Sequence, residues 1–500
     1  MRLNAVFLLA LGVCVPVGLW GILAPEPMAD TVLGFTTWFM TGASWWWLAL
    51  CTAFVILAAA LAFGPWGRIR LGRDDEEPEF STVSWIAMLF AGGMGAGLLF
   101  WGVAEPVSHF ASPPGIQGGT PEAARIAMVI TNLHWGFHAW SIYGVCALVI
   151  AYFTFRRGGK PLISTPLTGL IGGPAEKGVS VAADVLGVVA VIFGLAGSLA
   201  MGTLQVRSGL ASALGTPETS TISLIVLAVL FVAYMVSTLT GVEKGMKLLS
   251  NINMVLALAI MVFIAAAGPT AFIFESVVDT LGAYLSQIVA ISFRLFPYEG
   301  LTEWSANWTL TYLIWWLAWG PFVGVFIARI SRGRTIREFC AGVILVPTLF
   351  SIVWFAVFGG AGIYVELFGP GGLAALVADN VSDALFAFLG YFPLAGILSV
   401  VALVLIFIFL VTSADSGTFV LSMMTTDGNL NPSASAKIVW GSLVAVITAA
   451  TLLAGTVEVA RAMATLGAIP FSAVLILQVV GFLRALGEER RMSAPAREAV

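Results

Sequence analysis

The sequence predicts an all-α polytopic membrane protein with twelve transmembrane helices, and three observations predict it. First, 59% of the 500 residues are apolar, only 10% are charged, and mean hydropathy is +0.98. A spanning helix needs about 20 apolar residues, so a dozen helices use most of the apolar positions and leave little for a soluble domain. Second, the apolar runs are continuous rather than alternating, which excludes a porin-type barrel. Third, Lys and Arg crowd into every second inter-span segment, as the positive-inside rule requires. Soluble enzymes, disulfide-rich secreted modules and disordered chains are excluded on the same figures, and a net charge of −4 offers no basic surface for nucleic acid.

Taken in order, the first run, 4–24, follows Arg2 and imitates a signal peptide up to Cys14, but it continues to Ala24 and is long enough to span. The second, 44–64, opens on Trp45, Trp46 and Trp47, an interfacial belt. The next five lie at 84–104, 126–154, 182–211, 221–240 and 247–268. A stretch near 274–296 begins FESVVDTL and carries Arg294, which suits an amphipathic helix lying in the interface. Five more spans follow at 305–329, 338–364, 395–425, 437–456 and 460–483. With a cytoplasmic amino terminus, nineteen Lys and Arg fall inside and only Arg125, Arg294 and Arg461 outside, with Arg207 in a span. Both termini are therefore expected in the cytoplasm, and the chain is expected in an inner membrane surrounded by lipid.

Two spans carry helix breakers. Span three reads AGGMGAGLLFWGVAEP, with Gly92, Gly93, Gly95 and Gly97 close together, and each glycine is unfavourable by roughly 1 kcal/mol relative to Ala. Span eight reads WWLAWGPFVGVF, where Pro321 removes a backbone hydrogen bond and crowds the preceding turn. Freed carbonyls cannot face lipid, so they must face protein or an aqueous cavity. Each broken span opens a block of five, spans 3–7 and 8–12, and odd-numbered blocks lie in opposite orientations. Paired interruptions in inverted repeats point to a transporter's midplane site. The expected organisation of this single transporter domain is two additional helices (1–83), a first repeat (84–268), an interfacial region (269–304), a second repeat (305–484) and a short tail (485–500).

Aromatic residues sharpen the expectation. Trp315, Trp316 and Trp319 lie near the middle of span eight, within one helical arc, and Trp135, Trp140 and Tyr143 share a broad face of span four. A tryptophan at mid-depth needs a partner for its indole N–H, so a polar cavity suits it better than lipid. A quaternary ammonium has charge but no donors, and ring faces recognise it at about 2 kcal/mol or more when desolvated.

These motifs resemble the betaine/choline/carnitine transporter family. WTLTYLIWWLAWGPFVGVFIARISRGRTIREF, from Trp308 to Phe339, carries the resemblance most specifically, and AGGMGAGLLFWGVAEPVSH, HWGFHAWSIYG and TSADSGTFVLSMMTT support it. The resemblance implies a leucine-transporter-type fold of two inverted five-helix repeats preceded by two helices, and a homotrimer. It implies that Trp135, Trp140 and Tyr143 line an aromatic path and that Trp315, Trp316 and Trp319 form the central box, with Trp316 and Trp319 the most direct ligands. Backbone N–H groups of Met94, Gly95, Ala96 and Gly97 would receive a substrate carboxylate at a half-helix start. Choline transporters carry Asp where this chain has Gly97, so the departure points to a zwitterion such as glycine betaine.

The same resemblance implies sodium as the coupling ion, held by hydroxyls of Thr412 and Ser413 and backbone carbonyls of Ala91, Met94 and Phe409, with no other cofactor. An ordinary Ser–Thr pair would instead bond back to its own helix. A second sodium site would use threonines of span five with Phe322, for which this chain offers only Ser198 and Thr203. The alternatives are sodium-independent exchange of betaines such as carnitine, and uptake of dimethylsulfoniopropionate or choline. Asp415 and Arg207 are charges inside spans, and such charges are usually functional. His134 and His138 have metal-pair spacing but no HExxH, and hydrogen bonds between helices account for them better. Ser413, Asp415 and Ser416 have no histidine nearby, so no enzyme is expected. The carboxy tail is of mixed charge, without the basic run of osmosensing relatives, which favours constitutive uptake.

Overall fold

The computed structural model describes residues 4–93, 95–240 and 243–493. Among them the chain is helical, with one isolated backbone bridge between Arg70 and Thr335. Helix α1 (Ala5–Leu23) is capped by Asn4, whose side chain accepts the Phe7 N–H at 2.8 Å. Helix α2 (Pro25–Gly42) stands between the first two expected spans, where no helix is anticipated. Glu26, Asp30 and several threonines lower its hydropathy, and α3 (Ser44–Phe63) follows as span two.

Span three consists of α4 (Thr82–Gly93) and α5 (Ala96–Ala111), with Gly95 extended ahead of α5. Span four is α6 (Pro121–Trp135) and α7 (Phe137–Ala151), kinked at Gly136 and ending in a π-turn over 152–156. Then come α8 (Ala175–Leu214), α9 (Ser220–Thr240), α10 (Glu243–Ala267) and α11 (Thr270–Ile291). At 40 residues α8 overshoots the expected span at both ends. A short α12 (Thr302–Ser305) leads through a π-turn into α13 (Thr311–Ile330), which is span eight. Span nine is α14 (Ile336–Cys340), α15 (Val346–Phe355) and α16 (Ala361–Phe368), joined by two π-turns. The short α17 (Leu373–Asp379) and α18 (Ala384–Leu389) precede α19 (Ala395–Met424), α20 (Ala434–Leu453) and α21 (Val457–Ser493).

Twelve helical runs among the described residues are long and apolar enough to cross a membrane. This set differs from the expected twelve in two members. It includes α11, and it omits span three, whose two halves are each too short. Helix α11 follows span nine: Phe272 meets Tyr364 and Phe368, Ser276 approaches Gly360, and Tyr284 clusters with Ile352 and Leu133.

One expectation requires correction. Span eight is not interrupted at Gly320–Pro321; α13 runs through Pro321 as a continuous helix. A Cβ on Gly324 would stand 2.9 Å from Cys146 Sγ, so these small residues let α7 press directly on α13. That packing holds the helix together over the one hydrogen bond that proline removes.

The bundle has a basic end. There Arg156 pairs with Glu489 and Asp74, Arg332 Nε donates to Glu76 at 2.6 Å, and Arg329 pairs with Glu79 at 2.8 Å. The Glu76 carboxyl is held below the usual carboxylate range, first by the Arg73 backbone N–H and then by Arg332. Both described chain ends lie here: Phe7 packs on Trp440 at the start of α20, and Glu489 lies near the end of α21.

Candidate functional site

Gly95 is extended (φ −117°, ψ −167°), and α5 restarts at Ala96. The first amides of α5 therefore lack intrahelical partners and present an anion-binding helix start. Small residues keep this start open. A Cβ at Gly97 would lie 3.2 Å from the Trp135 ring, and one at Gly95 would lie 3.9 Å from Ser413 Oγ. The break thus faces an aromatic wall on one side and α19 on the other. Met94 lies outside the described residues, and Ala91 falls in the last turn of α4.

The aromatic residues expected from the sequence come together. Trp316 is the hub: its ring lies 5.0 Å from Trp135 and 5.3 Å from Tyr143, both nearly perpendicular, and Tyr143 in turn meets Trp140 at 5.8 Å. Trp316 Nε1 donates to the His134 carbonyl at 2.7 Å. Trp315 and Trp319 both donate to Ser198 Oγ, at 3.3 and 3.1 Å, so one hydroxyl on α8 orients two indoles a helical turn apart. The N–H groups of Trp315, Trp316 and Trp319 are thus occupied, which leaves their ring faces free for a ligand. Ser198, considered above for a second ion, is also part of the tryptophan wall. Thr203 is fully buried and does not line the cavity, whereas Phe322 does.

These groups line one cavity of about 1150 Å³. Gly95, Ala96, Gly97, Trp135, Trp140, Tyr143, Trp315, Trp316, Trp319, Phe409, Thr412 and Ser413 all border it. It extends to Arg329, Arg332, Asn431 and Lys437, so it reaches the basic end. Toward the other end it is shut by packed aromatic residues: Trp101, Trp308 and Tyr312 lie within 6.4 Å of one another, and Trp101 and Tyr312 are essentially inaccessible.

Beneath that layer is a carboxylate that sequence reasoning passed over. Glu105, fully buried in α5, accepts from Trp135 Nε1 at 2.7 Å through one oxygen and from His134 Nδ1 at 2.5 Å through the other. His134 Nε2 lies 2.9 Å from Thr309 Oγ1, and His109 Nε2 lies 3.4 Å from the carboxylate. Glu105, His109 and His134 place ligand-type atoms within 4.8 Å of one another. Both Glu105 oxygens are already engaged by N–H donors, so the group works as a hydrogen-bond hub. His138 is not part of it; its Nε2 faces Thr52 Oγ1 at 3.3 Å. The only sequence signal for Glu105 was a carboxylate in an apolar run.

At the other wall, Thr412 Oγ1 donates to its own helix, to the carbonyls of Ile408 (3.0 Å) and Phe409 (3.1 Å). This spends the hydroxyl proton and leaves oxygen lone pairs for a hard cation. Asp415, one turn on, accepts from Ser237 Oγ at 2.7 Å and from Thr238, and so fastens α9 to α19. Arg207 pairs with Glu218 at 3.3 Å, at the end away from the basic one.

Comparison with known proteins places relatives along the whole chain. The sequence model of the BCCT, betaine/carnitine/choline family transporter, matches residues 5–491. The chain is 40% identical over 492 residues to the glycine betaine transporter OpuD of Bacillus subtilis (strain 168), covering 98% of this chain and 96% of that protein. It is 40% identical over 473 residues to the ectoine/hydroxyectoine transporter of Virgibacillus pantothenticus, covering 94% and 93%. It is 38% identical over 472 residues to glycine betaine transporter 1 of Vibrio parahaemolyticus serotype O3:K6, covering 93% and 90%.

Proposed function

The chain belongs to the betaine/carnitine/choline family of transporters, and from that premise we propose that it imports glycine betaine by sodium symport. As a member it is a multi-pass membrane transporter of small betaine-type osmolytes and not an enzyme. The observation that carries the finer reading is the opposition, across one cavity, of the Trp316 and Trp319 rings and the open start of α5. A trimethylammonium group rests against ring faces whose N–H groups are engaged elsewhere. Its carboxylate, a few ångströms away on the same molecule, meets the amides of Gly95, Ala96 and Gly97. Gly97 supports a zwitterion over choline, because an acidic side chain there would have to displace the Trp135 ring.

Sodium, as co-substrate, would bind where α19 meets the break, through Thr412 and Ser413 hydroxyls and carbonyls of Ala91, Met94 and Phe409. The proximity of Ser413 Oγ to Gly95 supports this, since one ion there would tie the two halves of span three to α19. The basic end is read as cytoplasmic, by the positive-inside rule, with both termini on that side of an inner membrane. The protein is read as a homotrimer on the family resemblance.

The test is uptake of labelled glycine betaine into proteoliposomes. Uptake driven by a sodium gradient and abolished when potassium replaces sodium is expected. Uptake indifferent to sodium but dependent on internal substrate would replace symport by exchange. Competition by unlabelled ectoine, the substrate class in the name of one relative, ranks the two ligands.

A further inference from the structure

Glu105 and His109 stand four residues apart on one face of α5, and His134 lies in the last turn of α6 beside them. All three side chains are fully buried. The Glu105 oxygen that accepts from His134 Nδ1 at 2.5 Å also faces His109 Nε2 at 3.4 Å, and one ligand-type atom from each residue lies within 4.8 Å of the others. Packing fixes the rings: His109 meets Trp308 at 4.5 Å and Trp304 at 5.5 Å, and His134 stacks on Tyr312 at 4.8 Å. His109 is the odd member, because neither of its ring nitrogens has a hydrogen-bond partner among the described residues. A buried imidazole left so is destabilising, and its Nε2 is the nitrogen that faces the shared oxygen.

We propose that Glu105, His109 and His134 form a binding site for a zinc-type transition-metal ion, through which the ion clamps α5 to α6 and arrests transport. Two neutral imidazoles and one carboxylate are a donor set that borderline divalent ions prefer, whereas Mg²⁺ takes oxygen alone. Ligand atoms about 2.0–2.1 Å from a tetrahedral zinc stand about 3.3 Å apart, so the three atoms need side-chain shifts on the order of 1 Å. The atoms that do not face the ion are already supported. Trp135 Nε1 holds the other Glu105 oxygen at 2.7 Å, and Thr309 Oγ1 lies 2.9 Å from His134 Nε2. In the metal-free protein the His134 proton sits on Nδ1, against Glu105. On binding it moves to Nε2 and is donated to Thr309, so the hub becomes the outer shell of the site. The ligands converge while this end is shut, so the ion stabilises the shut form by its differential affinity. The Arg461 guanidinium, which lies over Trp308 and Tyr312, opposes a dication, and this makes the ion a reversible inhibitor rather than a permanent part of the fold.

The chain has three histidines, so each can be tested in turn. The detergent-purified full chain is titrated with Zn²⁺ against a chromophoric zinc indicator, and glycine betaine uptake is measured in proteoliposomes with Zn²⁺ or Mg²⁺ on both faces. One zinc per chain is expected, with inhibition by Zn²⁺ and none by Mg²⁺. His109→Phe keeps a ring against Trp308 and is expected to weaken zinc binding about a hundredfold, with metal-free uptake little changed. Thr309→Val, which removes only the outer support, is expected to weaken it about tenfold. His138→Gln is the control, since that ring faces Thr52 and not the cluster, and it retains the parent affinity. A parent that binds no zinc, a His109→Phe protein of parent affinity, or a His138→Gln protein that loses zinc as His109→Phe does overturns the site. Zinc bound through His109 with uptake unaffected overturns the clamp. If His109→Phe is not monodisperse, His109→Leu is read by the same criteria. The titration needs no transport, so absent betaine uptake by the parent chain overturns only the functional reading, and the titration still decides the site.

Discussion

At the scale of single residues, the site depends on how indoles are held as much as on where they lie. Trp316 presents its face to the cavity because its N–H is engaged by the His134 carbonyl. Replacing it by Leu keeps bulk and removes the quadrupole. Trp316→Leu is expected to raise the half-saturation concentration of glycine betaine about thirtyfold, the equivalent of about 2 kcal/mol of cation–π attraction. Uptake kinetics over a range of substrate check it. Glu105 acts one step back, as a positioning residue. The carboxylate fixes the proton of His134 on Nδ1, so the amide of Glu105→Gln either sets its own N–H₂ against an N–H or drives that proton to Nε2, toward Thr309 Oγ1, and loses the charge-assisted bond. An unmade buried hydrogen bond costs about 1–3 kcal/mol, and a displaced Trp135 loosens the wall. The maximal uptake rate of Glu105→Gln is expected to fall about tenfold, while Glu105→Asp recovers part of it.

At the scale of elements, eleven of the expected spans stand as helical runs of spanning length and the third as two half-helices, because hydropathy is local information: each run carries its own signal. What was not legible depends on partners distant in sequence. Span eight was expected to break at Pro321 and does not, because the close approach of Gly324 to Cys146 is a tertiary fact. Helix α2 was missed because its threonines and acidic residues hide it from a search for apolar runs. Glu105 was legible as an odd charge, but its partners His134 and Trp135 lie about thirty residues on and had no reason to be paired with it. The kink at Gly136 was missed in the same way. There the Phe137 N–H, freed by the bend, donates to the Tyr284 hydroxyl of α11 at 3.1 Å. Tyr284→Phe removes that acceptor from a half-buried amide. It is expected to lower stability by about 1–3 kcal/mol, seen as an earlier thermal transition of the purified protein, with substrate half-saturation little changed because Tyr284 does not border the cavity.

At the scale of the whole molecule, the described conformation has one end open and the other shut. Asn431 lines the open mouth, and all four cysteines are buried. A single Asn431→Cys therefore serves as a reporter against a silent background. Labelling by a membrane-impermeant thiol reagent is expected from the side facing the basic end. It should slow severalfold when sodium and glycine betaine together draw the protein toward its closed form. Equal labelling with and without ligands would mean that this mouth does not take part in the transport cycle.

The size of that chamber has a thermodynamic consequence. A void of about 1150 Å³ is many times larger than one small zwitterion needs, and its polar patches will keep it hydrated. Sealing it must return on the order of tens of solvent molecules to bulk. Any equilibrium that releases solvent responds to solvent activity, so concentrated solutes excluded from the chamber favour the sealed form by mass action. The bundle thereby acquires a bias toward occlusion in concentrated surroundings from its geometry alone, with no sensing tail required.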